Sequence, residues 1–416
     1  MLLVCVAGYM LMAVGRIHQL FEVLESFRPA LLTGVLAIVM YLLDRHEERR
    51  SGHLLVPTTK WLIAFLIWMV LSVPGAIAPG NSFDLLFGTF IKTVLMYLVL
   101  VGTVRGIRDV ERLAAVYLIA ATVYASVVIS RFQLGDGNAW RLSRLYYYDA
   151  NDFATFAVTA MPLGLYFLCA GRRTLARVLA AVGLAVVTVA FVHAGSRGGF
   201  IALVAVAGFV VSRYTGIALR WRLCATALVA LVLLASASDR YWEQMRTILG
   251  ERDYNFTEES GRIEVWRRGV GYMLQSPILG VGPDNFQTAE GRLSPFANRQ
   301  QLGIGVRWNA AHNSFIQIGA ELGIPGLVLF VAVIASAFGA LSRSGGNEGA
   351  LAGAGQSHRQ LTQALTASLL GFVIGSLFLS LAYSEVLYML IALAVGLEKV
   401  TGNAVAPSTA TNGRQK

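Results

Sequence analysis

The sequence predicts an all-α polytopic membrane protein, and three observations carry that prediction. Apolar residues make up 56% of the chain and charged residues 14%, with a mean hydropathy of +0.61, whereas soluble domains carry about 25% charge. Apolar runs recur at the length a helix needs to cross a bilayer, roughly 17–25 residues. The runs are continuous rather than alternating. Lipid offers the backbone no partner, so only helices or a closed barrel are viable there, and continuity excludes the barrel.

About twelve spans follow in order: Leu2–Val14, Pro29–Leu43, Trp61–Ala78, Leu85–Val104, Leu113–Ile129, Phe153–Ala170, Leu175–Val192, Phe200–Val211, Leu223–Ala235, Phe315–Gly339, Leu361–Ala382 and Val386–Val400. The first two, the eighth, the ninth and the last are short. Met1 to Val14 lacks a basic leader and a cleavage site, so it is expected to be the first span. Four regions result: spans 1–9 over 1–235, a large polar loop over 236–314, spans 10–12 over 315–400, and a small, polar, disordered cytoplasmic tail over 401–416.

Basic residues set the orientation. With the N-terminus inside, eighteen Lys and Arg fall in the inner loops and tail, against six in the short outer loops. The 236–314 loop follows an odd number of spans and is therefore expected outside. The net charge of +10 is explained by this sorting. No soluble basic domain or basic–aromatic module is present, so a nucleic-acid partner is not expected. Cys5, Cys169 and Cys224 lie in apolar runs with no CxxC and no histidine at ligand spacing. They are expected to be small core residues, and no disulfide, metal or cofactor site is predicted.

Polar residues near lipid carry a desolvation cost and mark function by default. Lys92 lies inside the fourth span; snorkelling or pairing is the expected explanation. The outer loop 131–152 holds Arg141, Arg144, Asp149, Asn151 and Asp152 beside the run Tyr146–Tyr148. It reads either as an interfacial aromatic belt or as a sugar-facing wall. At the exit of the seventh span, His193-Ala-Gly-Ser-Arg197-Gly-Gly199 places an arginine beside the free amides of a helix start, a natural anion site. A plain helix–helix turn is the alternative.

The 236–314 loop holds nine arginines. Arginine's planar fork suits phosphate and carboxylate, although the inner loops are arginine-rich too. Ser238 to Arg252 has the spacing of an amphipathic surface helix. A second helix opens near Ser260, a candidate N-cap, with Arg262 and Trp266 on one face and Glu264–Arg268 as an i,i+4 surface pair. Ser276 to Phe286 is turn chemistry. Arg307 leads to His312-Asn313-Ser314 at the start of the tenth span. His312 is the loop's only histidine; its ordinary pKa near 6.5 suits a general base.

Five motifs occur in order: Ser196-Arg197-Gly198-Gly199, Gly261-Arg262 with Trp266, Pro277 to Phe286, His312 to Phe315, and Glu321-Leu322-Gly323 with Gly326. Together they resemble the O-antigen ligase and polymerase superfamily of bacterial envelopes, over roughly 191–330. Tyr148 to Phe153 looks similar to the oligosaccharide ligases found with exosortase systems. The resemblance implies a GT-C-like, metal-independent, inverting glycosyltransferase whose donor is a glycan on undecaprenyl diphosphate. On that reading Arg197 and Arg262 bind the diphosphate and His312 activates the acceptor hydroxyl. Arg141, Arg144, Asp152, Trp266, Asn313 and Arg307 would contact substrate. The acceptor (lipid A core, another glycan or a protein) stays open, as does ligase against polymerase. A transporter of the lipid-linked sugar is a further alternative, disfavoured by the lack of an internal repeat.

Overall fold

A computed structural model of the chain describes residues 1–44, 56–131, 140–142, 145, 147–170, 173–249, 258–302, 308–346 and 355–405. Among them there is no strand. The twelve expected spans each coincide with a helix: α1 (Leu2–Ala13), α2 (Pro29–Leu43), α3 (Pro57–Gly75), α4 (Pro79–Thr103), α5 (Ile107–Arg131), α6 (Ala150–Ala170), α7 (Thr174–Ala194), α8 (Arg197–Arg213), α9 (Leu219–Ser236), then, after the polar loop, α13 (Ser314–Gly346), α14 (Gly355–Ser376) and α15 (Glu385–Val405). The loop between them contains α10 (Asp239–Arg246), α11 (Arg262–Gln275) and the short α12 (Phe286–Arg292). Eight of the described helices are long and apolar enough to cross a membrane, the second counted from Val23, and α1 is a shorter apolar helix. The chain is a multi-pass helical membrane protein. Proline opens α2, α3 and α4, where its missing N–H costs nothing and its fixed φ suits a helix.

The last helix is the centre of the bundle. Val386 to Val395 is almost completely buried, packed by α4, α5, α13 and α14. It is apolar all round, as a helix enclosed by protein must be. By contrast α9 buries only Leu233 and lies at the edge. α15 runs to Val405, into the expected tail; residues 406–416 lie outside the described ones.

Among the described residues, loops assigned to one side bond to one another at one end of the bundle. The turn after α3 bonds to the polar loop through Ile77 N–H to Val281 O (3.0 Å) and Ser82 Oγ to Pro283 O (2.7 Å). The segment before α6 bonds to the end of α7 through Leu142 N–H to His193 O (2.8 Å). The turn after α1 reaches the start of α15 through Arg16 and Glu385 (3.3 Å). At the other end, Tyr166 donates to Glu111 and Tyr214 to the Gln360 carbonyl. These bonds gather the described parts of those loops at opposite ends of the bundle.

Two motifs prove to be one structural joint. α13 breaks at Gly323, whose φ of +70° is left-handed, a conformation glycine adopts without a Cβ penalty. The break frees carbonyls that lipid cannot satisfy. The Pro277–Phe286 turn supplies the donors: Val281 N–H to Ala320 O (2.9 Å) and Gly282 N–H to Glu321 O (2.8 Å). The Trp68 indole takes Leu322 O (3.0 Å). The buried Glu321 carboxylate accepts from Phe286 N–H (3.2 Å) and Tyr383 Oη (2.6 Å).

One expectation about local structure is corrected. The eleventh span was expected to reach Ala382, but α14 ends at Ser376 and 377–384 is a turn. The reason is that its polar groups bond to the start of α13, as described below. Lys92 is exposed on α4, just past a π-helical turn at Leu86–Phe90.

Candidate active site

The 377–384 turn is a hub. Ser380 Oγ accepts the His312 N–H (2.9 Å). Ser314 Oγ donates to Leu379 O and accepts Leu381 N–H, both at 2.8 Å. Phe378 packs on Gly198, where an added Cβ would come within 2.8 Å of the Phe378 Cβ. The start of α8, the start of α13 and this turn are thereby locked together.

His312 sits on that hub with φ +46°. A non-glycine residue in this region is costly and is held there by its surroundings. Here the Trp266 indole N–H donates to the Ala311 carbonyl (2.9 Å) on one side. On the other, Asn313 Oδ1 caps α13, accepting from Phe315 N–H (2.9 Å) and Ile316 N–H (3.1 Å). Burial, and then the positive charge of Arg262, push the imidazole pKa below its usual value, while Asp149 opposes the shift. The shift favours the neutral ring, the form that accepts a proton.

Both predicted diphosphate ligands occupy the first position of a helix. Arg262 opens α11 and Arg197 opens α8, where unpaired N–H groups and the helix dipole favour an anion. Ser196 caps α8 by accepting Gly199 N–H (3.1 Å). Arg197 donates to Thr247 Oγ1 (2.7 Å), which ties the amphipathic α10 segment to the site. Arg141 braces two helix ends, donating to Ala194 O (2.8 Å) and Asn151 Oδ1 (2.9 Å). Asp149 Oδ1 accepts from Asn151 N–H and Asp152 N–H, both 2.7 Å, and Asp152 reaches back toward Asp149 N–H (3.5 Å). This reciprocal arrangement is a helix cap. Arg144 and Arg307 lie outside the described residues.

The structure thus brings His312, Arg262, Trp266 and Asn313 together, with Asp149 acting on His312 from the α6 side. Two pairings read from spacing are corrected. Ser260 is not the cap of α11; Gly261 is, without a side-chain bond, and Ser260 Oγ donates to Glu258 (3.3 Å). Arg268 does not pair with Glu264, which instead takes Arg267 (2.9 Å). Arg268 turns inward to Glu290 (2.6 Å), and both side chains are nearly buried. The hub residue Ser380 and the pair Arg16–Glu385 escaped the sequence reading. Only Glu385, a lone charge opening an unbroken apolar run, left a trace there.

The described residues thus form a multi-pass helical bundle with His312 and two helix-start arginines at one end. Residues 180–331 match the family described as O-Antigen ligase. This match covers Arg197, Arg262 and His312 and supports a membrane glycan-processing function of the ligase or polymerase type. No curated protein matches the chain.

Proposed function

We propose that the protein is an inverting, metal-independent glycosyltransferase of GT-C-like architecture, acting on the periplasmic side of the bacterial inner membrane. Its donor is a glycan on undecaprenyl diphosphate, and its acceptor is a hydroxyl of lipid A core, another glycan or a protein. The observation that carries this reading is His312 within the field of Arg262, on a turn shared with the start of α8.

The step is a single displacement. The acceptor oxygen attacks the anomeric carbon and its proton passes to a ring nitrogen of His312. The bond from that carbon to the diphosphate oxygen breaks, and undecaprenyl diphosphate leaves. Negative charge develops on the leaving oxygen, where Arg262, Arg197 and the amides of two helix starts stabilise it. A charge already in place costs no reorganisation at the moment of reaction.

The test is transfer by the purified protein in lipid nanodiscs, using synthetic undecaprenyl-diphosphate glycan, EDTA and candidate acceptors. Release of undecaprenyl diphosphate with one glycan added per acceptor supports a ligase; a ladder of products supports a polymerase. Intact donor with every acceptor, or activity that EDTA abolishes, refutes the proposal.

A further inference from the structure

The aromatic run before α6 contains a ring that the mechanism above does not use. Tyr147 is 61% exposed, with φ +60°. The Arg16 guanidinium lies under one face, its Cζ 3.4 Å from the ring centroid. The Tyr148 ring meets it edge-on at 5.3 Å and 82°. Each support is itself anchored. Arg16 is pinned to Glu385 and largely buried, and Tyr148 Oη donates to the Val14 carbonyl (2.7 Å).

An aromatic ring of an interfacial belt sits at headgroup level and needs no particular protein neighbour. Tyr147 is held by charged ones: Arg16 beneath it, with Glu385 and Asp152 close enough to act on its phenol. A left-handed backbone at a bulky residue is costly, and such strain collects at functional sites. Tyr147 lies two residues before Asp149, the carboxylate that faces His312.

We propose that the open face of Tyr147 is a stacking platform for a pyranose ring of the glycan substrate, which places that sugar beside His312. The proposal rests on the glycosyltransferase reading above. One face of a pyranose presents several C–H bonds with partial positive charge, which the negative face of an aromatic ring attracts. Asp149 and Asp152 at the neighbouring helix start offer acceptors for the sugar hydroxyls. A ring clamped by a cation and a second aromatic loses little freedom when a ligand covers it, and that lowers the cost of binding.

The test separates binding from chemistry by using full-length His312→Ala protein in nanodiscs. Saturation-transfer NMR is recorded with free gluco-, galacto- and N-acetylhexosamine disaccharides, which carry no diphosphate. Sugar C–H protons of at least one disaccharide should receive saturation, with affinity falling about three- to tenfold in Tyr147→Leu. In Tyr147→Phe and Tyr147→Trp, which keep a ring, the loss should be smaller. With His312 restored, Tyr147→Leu should raise the KM for one glycan substrate and change kcat less. Equal affinity in Tyr147→Leu and the parent, or no saturation of any disaccharide by the parent, overturns the platform. Sugar binding that depends on the ring, without any transfer by the wild type, would sink the glycosyltransferase reading and leave the platform standing.

Discussion

Removing Glu290 should unlock the polar loop. Its carboxylate accepts from Arg268 Nε (2.8 Å) and Nη2 (2.6 Å), Tyr272 Oη (2.8 Å) and Asn309 Nδ2 (3.4 Å). Glu290 is 1% exposed and the Arg268 side chain 10% exposed, so water replaces none of these bonds. This one group joins α11, α12 and the segment leading to His312. Glu290→Ala strands a guanidinium in a dry site, at a cost of about 3–5 kcal/mol. The Tyr272 hydroxyl loses its partner as well, at about 1 kcal/mol or more. Helices α11 and α12 pack mainly against α13, with a few bonds to the turn after α3 and the start of α4, so they should open locally while the membrane bundle persists. An opening free energy lowered by about 3 kcal/mol raises the open population on the order of a hundredfold. Tryptic cleavage after Arg292 and Arg299 in nanodiscs reports that population when opening is fast relative to cleavage. Glu290→Leu combined with Arg268→Met removes both charges and should recover most of the protection. Cleavage of Glu290→Ala within threefold of wild type, or a double variant as labile as the single one, would refute the reasoning.

The remaining expectations concern the site. Activity needs the neutral imidazole, so the acidic limb of the pH–rate profile should lie below the ordinary histidine value of about 6.5. Arg262→Gln removes a field that lowers the pKa and should move the limb of the residual activity to higher pH. Asp149→Asn removes a field that raises it and should move the limb lower. Limbs that stay in place in both variants would assign the titration to another group. Arg197→Lys should lose most transfer in the same assay, because a point charge replaces neither the planar fork nor its reach to Thr247. Full turnover would make Arg197 an anchor only. Gly198→Ala should drive a methyl into Phe378, costing about 1–3 kcal/mol. A nanodisc melting temperature matching wild type would show that the hub yields without strain.

Much of the architecture was legible along the chain because lipid imposes a local rule. Every span must satisfy its own backbone and present apolar side chains. A run such as Phe153–Ala170 therefore announces itself wherever it packs, and charge bias sorts the loops that follow. The amphipathic α10 was legible for a similar reason: its cap at Ser238 accepts Tyr241 N–H three residues on (3.3 Å). Helix ends were less legible: a neighbour two residues off took Ser260, and the distant start of α13 bonds to the turn that follows Ser376.

Hydropathy could not tell α15, enclosed by four helices, from α9 at the edge, since both are apolar and only neighbours distinguish protein from lipid. Nor could spacing find the partner of Arg268, which lies 22 residues away in Glu290, when Glu264 stood one turn off. The seat of His312 depends on Ser380, 68 residues on, and the footing of Tyr147 on Arg16 and Glu385 from opposite ends of the chain. Polar groups removed from water must find partners. In a helix bundle those partners come from whichever helices the packing brings alongside, and that choice belongs to the tertiary structure.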